Sequence, residues 1–153
     1  MENTEFKAIL HDILKENGFE KIKNKYYKQG NGFLCEIYLQ KSYYGPVFYV
    51  NFDFYLGEFE KPYAINRTDV KAYTPSVDGR FCFGDGKYGC EYPLWKPEQL
   101  TSVLLENMQR VILPPFDIGM QYLREHYGTV YVSSLTPGKA EKILFKTGDG
   151  SLS

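Results

Sequence analysis

The chain has 153 residues, with 18 Lys and Arg against 19 Asp and Glu, so its formal net charge is -1. That length suits one domain able to bury about 68–70% of the surface it exposes when unfolded. A hydrophobic share of 43% excludes disorder over most of the chain, and the near-neutral charge disfavours a strongly basic nucleic-acid binder. The unusual number is the aromatic share of 17%, with 14 Tyr and 11 Phe. Such residues suit both sheet cores and binding faces, because Tyr carries a polar handle on a large apolar body.

Residues 4–17 read as an amphipathic helix, with Phe6, Ile9, Leu10, Ile13 and Leu14 on one stripe. Thr4 or Asn3 is the candidate cap. Asn17-Gly18 is the stop, and Phe19 is expected to fold back onto Leu14. Residues 20–28 form a strand candidate rich in Lys21, Lys23, Lys25 and Lys28, closed by a turn at Gln29-Gly30-Asn31-Gly32. Residues 33–41 then alternate, with Phe33, Cys35, Ile37 and Leu39 on one face and Leu34, Glu36, Tyr38 and Gln40 on the other. After Tyr43-Tyr44-Gly45-Pro46, residues 47–56 place Phe48, Val50, Phe52, Phe54 and Leu56 opposite Val47, Tyr49, Asn51, Asp53 and Tyr55. Short connections predict an antiparallel meander.

From Gly57 to Tyr63 the chain reads as a charged connector, and Asp69 to Thr74 as an edge strand before the turn signals of Pro75 and Asp78-Gly79. Arg80–Phe83 and Cys90–Trp95 flank a Gly-rich turn and suggest a second hairpin. Pro97 opens a helix whose stripe runs through Leu100, Val103, Leu104, Met108, Val111 and Ile112 and ends at Pro114-Pro115. Phe116, Met120, Leu123 and Tyr127 make a further helix closed by Gly128. Residues 1–128 are therefore expected to form a single domain. Residues 129–153 read as its partly ordered C-terminal extension, with a strand at 129–134, a short helix at 139–146 and a frayed end at 148–153. A helix, then strands, then helices predict an α+β fold: a mainly antiparallel sheet with the N-terminal and two later helices packed on one face.

The chemical motifs fare poorly. Gly84-Asp85-Gly86-Lys87-Tyr88-Gly89 matches G-x-G-x-x-G, but Pro93 and Pro97 follow too soon for the long helix a pyrophosphate needs, so it reads as a turn. No P-loop fits either, because Gly86-Lys87 is followed by Tyr88 and Gly138-Lys139 by Ala140. His11 and His126 share no ligand spacing, so neither a metal nor a cofactor is expected, and no catalytic residue is assigned. Three Cys without a C-x-x-C pair argue against a disulfide scaffold and a zinc ribbon. Cys82 and Cys90 lie symmetrically about Gly86, which leaves a cross-strand pair or two buried thiols as alternatives. The start from Met1 to Glu5 lacks the basic residues and apolar run of a secretory signal, and no window approaches a membrane span of about 20 apolar residues. A cytoplasmic location is expected.

One constellation remains. If 33–56 form a hairpin, Glu36, Tyr38, Gln40, Tyr49, Asn51, Asp53 and Tyr55 share a surface of phenols, amides and carboxylates, a mixture that suits a ligand or partner face. A close Glu36–Asp53 couple would also suit acid–base chemistry, and a solvated sheet face is the simplest alternative. Lys21, Lys23, Lys25 and Lys28 with Tyr26 and Tyr27 make the candidate for weak single-stranded nucleic-acid binding, though alternating Lys also protects an edge strand from pairing.

The run from Phe6 to Leu14, then Asn17-Gly18-Phe19, Tyr26-Tyr27, Leu39-Gln40-Lys41-Ser42, Gly45 and Phe48-Tyr49-Val50-Asn51 is similar to a bacterial family called domain of unknown function 4304. Leu94-Trp95 leading into a helix that stops at Leu113-Pro114 resembles its later part. The resemblance spans residues 4–127 and implies a bacterial cytosolic protein, with no activity and no catalytic residue to carry over. The expected function is a non-enzymatic binding or interaction module using the Tyr-rich face, with an immunity-type protein as one version. Its partner would be a protein or a small molecule, with self-association an open option and a membrane not expected. The alternative is a small hydrolase with a carboxylate-based site.

Overall fold

The periodic run from Phe6 to Leu14 forms helix α1 (Asn3–Glu16) in the computed structural model, which describes residues 1–146 and only the backbone of Val70. The helix ends as the sequence predicts. Gly18 takes φ 86°, the Phe19 amide donates to the Leu14 carbonyl at 2.9 Å and the Gly18 amide to that of Lys15 at 3.1 Å. These are the two bonds of a Schellman end. At the start, the capping position is Glu2 rather than Thr4 or Asn3, and no side chain caps it.

The basic stretch after α1 is two short strands rather than one. β1 (Glu20–Ile22) and β2 (Lys25–Gln29) pair antiparallel, and the chain reverses through Lys23 at φ 59°. β3 (Phe33–Lys41) and β4 (Val47–Leu56) follow as the predicted antiparallel pair, in a register that sets Phe33 opposite Leu56 and Lys41 opposite Phe48. The expected edge strand at 69–74 is instead a 3-10 turn at Val70–Ala72, and the edge strand β5 (Ser76–Arg80) comes after Pro75. Proline can donate no ladder bond, so the chain turns before it and pairs after it. The second hairpin is also corrected. β5 pairs with the Asn51–Tyr55 half of β4, and β6 (Gly89–Glu91) pairs with its Val47–Tyr49 half. The long strand β4 thus serves as template for both, giving the order β1-β2-β3-β4-β5 with β6 beside the other half of β4.

The later helices pack on the apolar face, as an α+β fold requires. α2 (Pro97–Asn107) runs through a π turn at Met108–Ile112 into α3 (Leu113–Ile118). Pro114 and Pro115 do not end this run. They lie in the first turn of α3, and the Arg110 and Val111 carbonyls, four residues before each missing N–H, accept instead from the Tyr122 hydroxyl at 3.2 Å and the Tyr131 hydroxyl at 2.7 Å. Gly119 at φ 103° then separates α3 from α4 (Met120–Glu125), so the predicted second helix is two. Residues 129–134 make isolated bridges, Asp78 with Val132 and Tyr127 with Tyr131, rather than a full strand. α5 (Pro137–Leu144) replaces the helix expected at 139–146, and 148–153 lie outside the described residues.

The core is aromatic. Phe33 and Phe54 meet edge to face at 5.3 Å, Phe33 and Phe116 at 4.9 Å, and Phe54 and Tyr131 at 5.7 Å. Each fully buried side chain of this kind contributes about 1.5–3 kcal/mol. Tyr131 carries its hydroxyl into this core and satisfies it by donating to the Val111 carbonyl at 2.7 Å. Ala140 and Leu144 of α5 belong to the same core. The three cysteines are free, and burial pushes the Cys90 thiol up to about 12. A thiol so reluctant to ionise is a poor redox partner.

Candidate functional site

The opposite face of the sheet carries the polar residues. Strand register arranges them in rows that cross four strands. One row runs Tyr27, Glu36, Asp53, Asp78, and the next runs Lys25, Tyr38, Asn51, Arg80. Side chains directly opposite on neighbouring strands approach to about 4.5–5.5 Å at Cβ, and like charges placed so repel. Three carboxylates in one row therefore demand cations. Arg67, from the connector between β4 and β5, supplies one: its Nη1 lies 3.2 Å from Asp53 Oδ2 and 3.8 Å from Glu36 Oε1. The same nitrogen donates to the Tyr55 hydroxyl at 3.1 Å, and that hydroxyl donates to Glu36 Oε1 at 3.1 Å. Lys25 Nζ stands 3.6 Å from Glu36 Oε1. Asp78 turns to the last segment, accepting from the Ser134 amide at 3.0 Å and its hydroxyl at 2.8 Å.

Burial makes this cluster unusual. Glu36 is 2% exposed, Asp53 3% and Tyr55 0%. Desolvation, countered by Arg67 and reinforced by Glu36 and Asp78, raises Asp53 to about 7. Burial first, then the adjacent carboxylates, push the Tyr55 phenol well up, and burial and Glu36 do the same to Tyr27. A carboxyl poised near 7 can hold or release a proton at neutral pH. The partners of the two carboxylates, however, are groups of the fold itself.

Beyond this cluster the face opens. Arg80 Nε donates to Asn51 Oδ1 at 2.8 Å and its Nη2 to Gln40 Oε1 at 3.1 Å, while the Asn51 amide donates to the same Gln40 oxygen at 3.0 Å. The guanidinium carbon lies 4.6 Å from the centre of the Tyr49 ring. Lys25 lies 4.8 Å from that of Tyr38. A groove of about 670 Å3 starts here, with Tyr38, Asp53 and Arg80 on its wall, and wraps round the β5 edge to Arg110 and Val111. It passes Gly79, where a Cβ would stand 2.4 Å from the Phe52 ring, so only glycine fits there without displacing the core.

All seven residues singled out from alternation thus share one face, but they do not share one environment. Glu36, Asn51, Asp53 and Tyr55 are buried, Tyr38 and Tyr49 are half-buried, and Gln40 is exposed. The expected solvated surface is half covered, because the connector lays Arg67 and Tyr63 over it, with Tyr63 packing on Tyr27 at 5.4 Å. Alternation missed Arg67, Arg80 and Asp78. Two carboxylates expected on one face were the available signal, since such a couple, if close, needs a cation and the next arginine in the chain is Arg67. The basic run is divided: Lys25 serves the polar face, whereas Lys28 bonds to the Asn17 carbonyl at 2.9 Å and covers Phe116 at 4.5 Å.

Among the described residues, no group of three or more His, Cys, Asp or Glu is placed to hold a metal ion. No helix there is long and apolar enough to cross a membrane. No curated protein and no solved structure matches the chain. A family profile does match, over residues 10–117, from the α1 stripe through both central strands to α3. The chain belongs to the family described as Domain of unknown function (DUF4304).

Proposed function

We propose that this protein is a non-enzymatic binding module whose partner docks on the open end of the polar sheet face. The observation that carries this reading is Arg80. It is exposed, its Nε and Nη2 are oriented by Asn51 and Gln40, and Tyr49 supports its plane. Among the described residues it has no carboxylate partner. A guanidinium held by neutral amides keeps its full charge and its fork geometry for an incoming acidic or amide group. Because the orienting bonds exist beforehand, a partner meets a preorganised donor and loses less entropy on docking. The buried cluster behind it acts as rigid support. Cytoplasm is the proposed compartment, in keeping with three free thiols.

The test is affinity capture from the native host with wild type, Arg80→Ala and Tyr49→Ala, each first shown to be folded. Partners held by wild type and lost by both variants support the reading, and a toxin among them would favour its immunity-type version. Partners retained by both variants overturn it. A second reading, a carboxylate-based hydrolase, draws on Asp53 at about 7 on the wall of the groove. It requires hydrolysis of an ester or phosphoester that Asp53→Asn abolishes and Arg80→Ala leaves largely intact.

A further inference from the structure

The outer edge of β5 is closed residue by residue, with one exception. Phe81 donates its amide to the Val50 carbonyl at 2.9 Å. By the alternation of an antiparallel ladder, Ser76, Asp78, Arg80 and Cys82 therefore turn their N–H and C=O groups away from β4. Ser76 gives its amide to the Thr136 hydroxyl at 3.0 Å, and its carbonyl accepts from the Ser133 hydroxyl at 2.7 Å. Asp78 exchanges both bonds with the main chain of Val132, at 2.6 and 3.2 Å. Cys82 exchanges both with the side-chain amide of Asn107, at 2.8 and 2.9 Å. The main chain of Arg80, between them, has no hydrogen-bond partner among the described residues. An unpaired strand edge is a template for another chain, and here the template is one residue long.

This slot opens into the groove of about 670 Å3, which Arg80, Cys82, Arg110, Val130 and Val132 help to line. Arg110 stands in the π turn at Met108–Ile112, a distortion frequent at functional sites. It is exposed, and its Nη2 donates to Asn107 Oδ1 at 3.0 Å, the same oxygen that accepts from the Cys82 amide. That shared oxygen ties its guanidinium to the β5 edge two residues beyond Arg80. The Arg80 guanidinium, held by Asn51 and Gln40, reaches back over β4 instead. Both are oriented by neutral amides, and neither meets a carboxylate among the described residues. The two carboxylates that line the groove are engaged, Asp53 by Arg67 and Asp78 by Ser134. The guanidiniums flank the slot from two directions rather than meeting at a point. That arrangement suits acidic side chains spaced along a chain better than one small anion.

We propose that the partner of this groove is an acidic peptide segment in extended conformation. One of its residues bridges the Arg80 main chain, and its carboxylates pair with Arg80 and Arg110. The assignment rests on the binding reading above and names the class of partner. Main-chain bonds at a sheet edge supply affinity, and the side chains beside them supply selectivity.

The probe is a fluorescein-labelled decapeptide of alternating Glu and Thr, which sets every carboxylate on one face of a strand. It is titrated into the full chain at low salt and read by anisotropy. Binding is expected, at least about tenfold weaker for the Gln-Thr counterpart and about tenfold weaker in Arg80→Gln and in Arg110→Gln. Both variants change exposed side chains, so their melting temperatures should stay within about 4 °C of wild type. The Arg80 amide should exchange with deuterium at least about tenfold more slowly when the peptide is bound. No binding at millimolar peptide overturns the proposal, as does an Arg80 amide left unprotected. So does an equal loss in Lys15→Gln, an exposed position on α1 outside the groove. Glutarate that displaces the peptide at equal concentration overturns it in favour of a small-acid site. Capture from the host separates this proposal from the broader reading. A partner lost by Arg80→Ala and kept by Arg110→Gln leaves the open-face module standing without the acidic segment, whereas a partner kept by both removes both.

Discussion

The two ends of the polar sheet face are built from the same strands, in the same register, with the same kinds of residue, and they behave as opposites. At one end Glu36, Asp53 and Tyr55 lie buried beneath Arg67, which pairs with Glu36 Oε1 and Asp53 Oδ2 and donates to the Tyr55 hydroxyl. At the other, Gln40, Tyr49 and Arg80 use the same chemistry in the open, with a guanidinium held by amides instead of carboxylates. The difference teaches that charge on a sheet face acquires a role from what covers it. A cation between two buried carboxylates is part of the fold, whereas one resting on neutral amides keeps its charge for something else.

The sharpest way to break this contrast is at the covered end. Arg67→Ala leaves Glu36 and Asp53 side by side in a buried row with Lys25 alone to offset them. Breaking a buried ion pair costs about 3–5 kcal/mol, and because Arg67 is itself 33% exposed the low end applies. Urea unfolding is the measurement, and a variant as stable as wild type would remove the structural role assigned to the cluster. Tyr55→Phe is smaller in effect. It deletes a hydroxyl that donates to Glu36 and accepts from Arg67, and the expected loss is about 1–2 kcal/mol in the same assay.

Protonation sharpens the comparison without mutation. Asp53 titrates at about 7 in the fold, against roughly 3.9 in an unfolded chain. The native state therefore binds more protons than the unfolded state across that interval, and stability falls as pH rises from about 4 to 7, then levels. Thermal unfolding across this range should show that slope in wild type and a shallower one in Asp53→Asn. Equal slopes would mean that Asp53 carries no raised affinity for its proton. The smallest expected effect on stability is at the open end. Arg80→Ala should destabilise by no more than about 1 kcal/mol, since it gives up hydrogen bonds to Asn51 and Gln40 whose acceptors water can reach once the exposed side chain is gone, while partner capture collapses. Substantial destabilisation there would make the two ends alike.

Much of this architecture was legible from local patterns. The stripe of α1, its Gly18 stop and the two faces of β3 and β4 follow from periods of 3.6 and 2, which depend only on neighbours in the chain. The same period of 2 puts Glu36 and Asp53 on one face. The partners of β5 and β6 were not legible in the same way. Both pair with β4, and their choice of opposite halves of that strand is a contest between segments distant in sequence. The burial of the carboxylates was equally hidden, because it depends on a connector without periodicity folding back to deliver Arg67. Alternation tells which side chains share a face, since backbone geometry dictates it. Which part of that face meets water is a matter of long-range packing and charge balance, settled only when the connector, β5 and the last segment come together over the sheet.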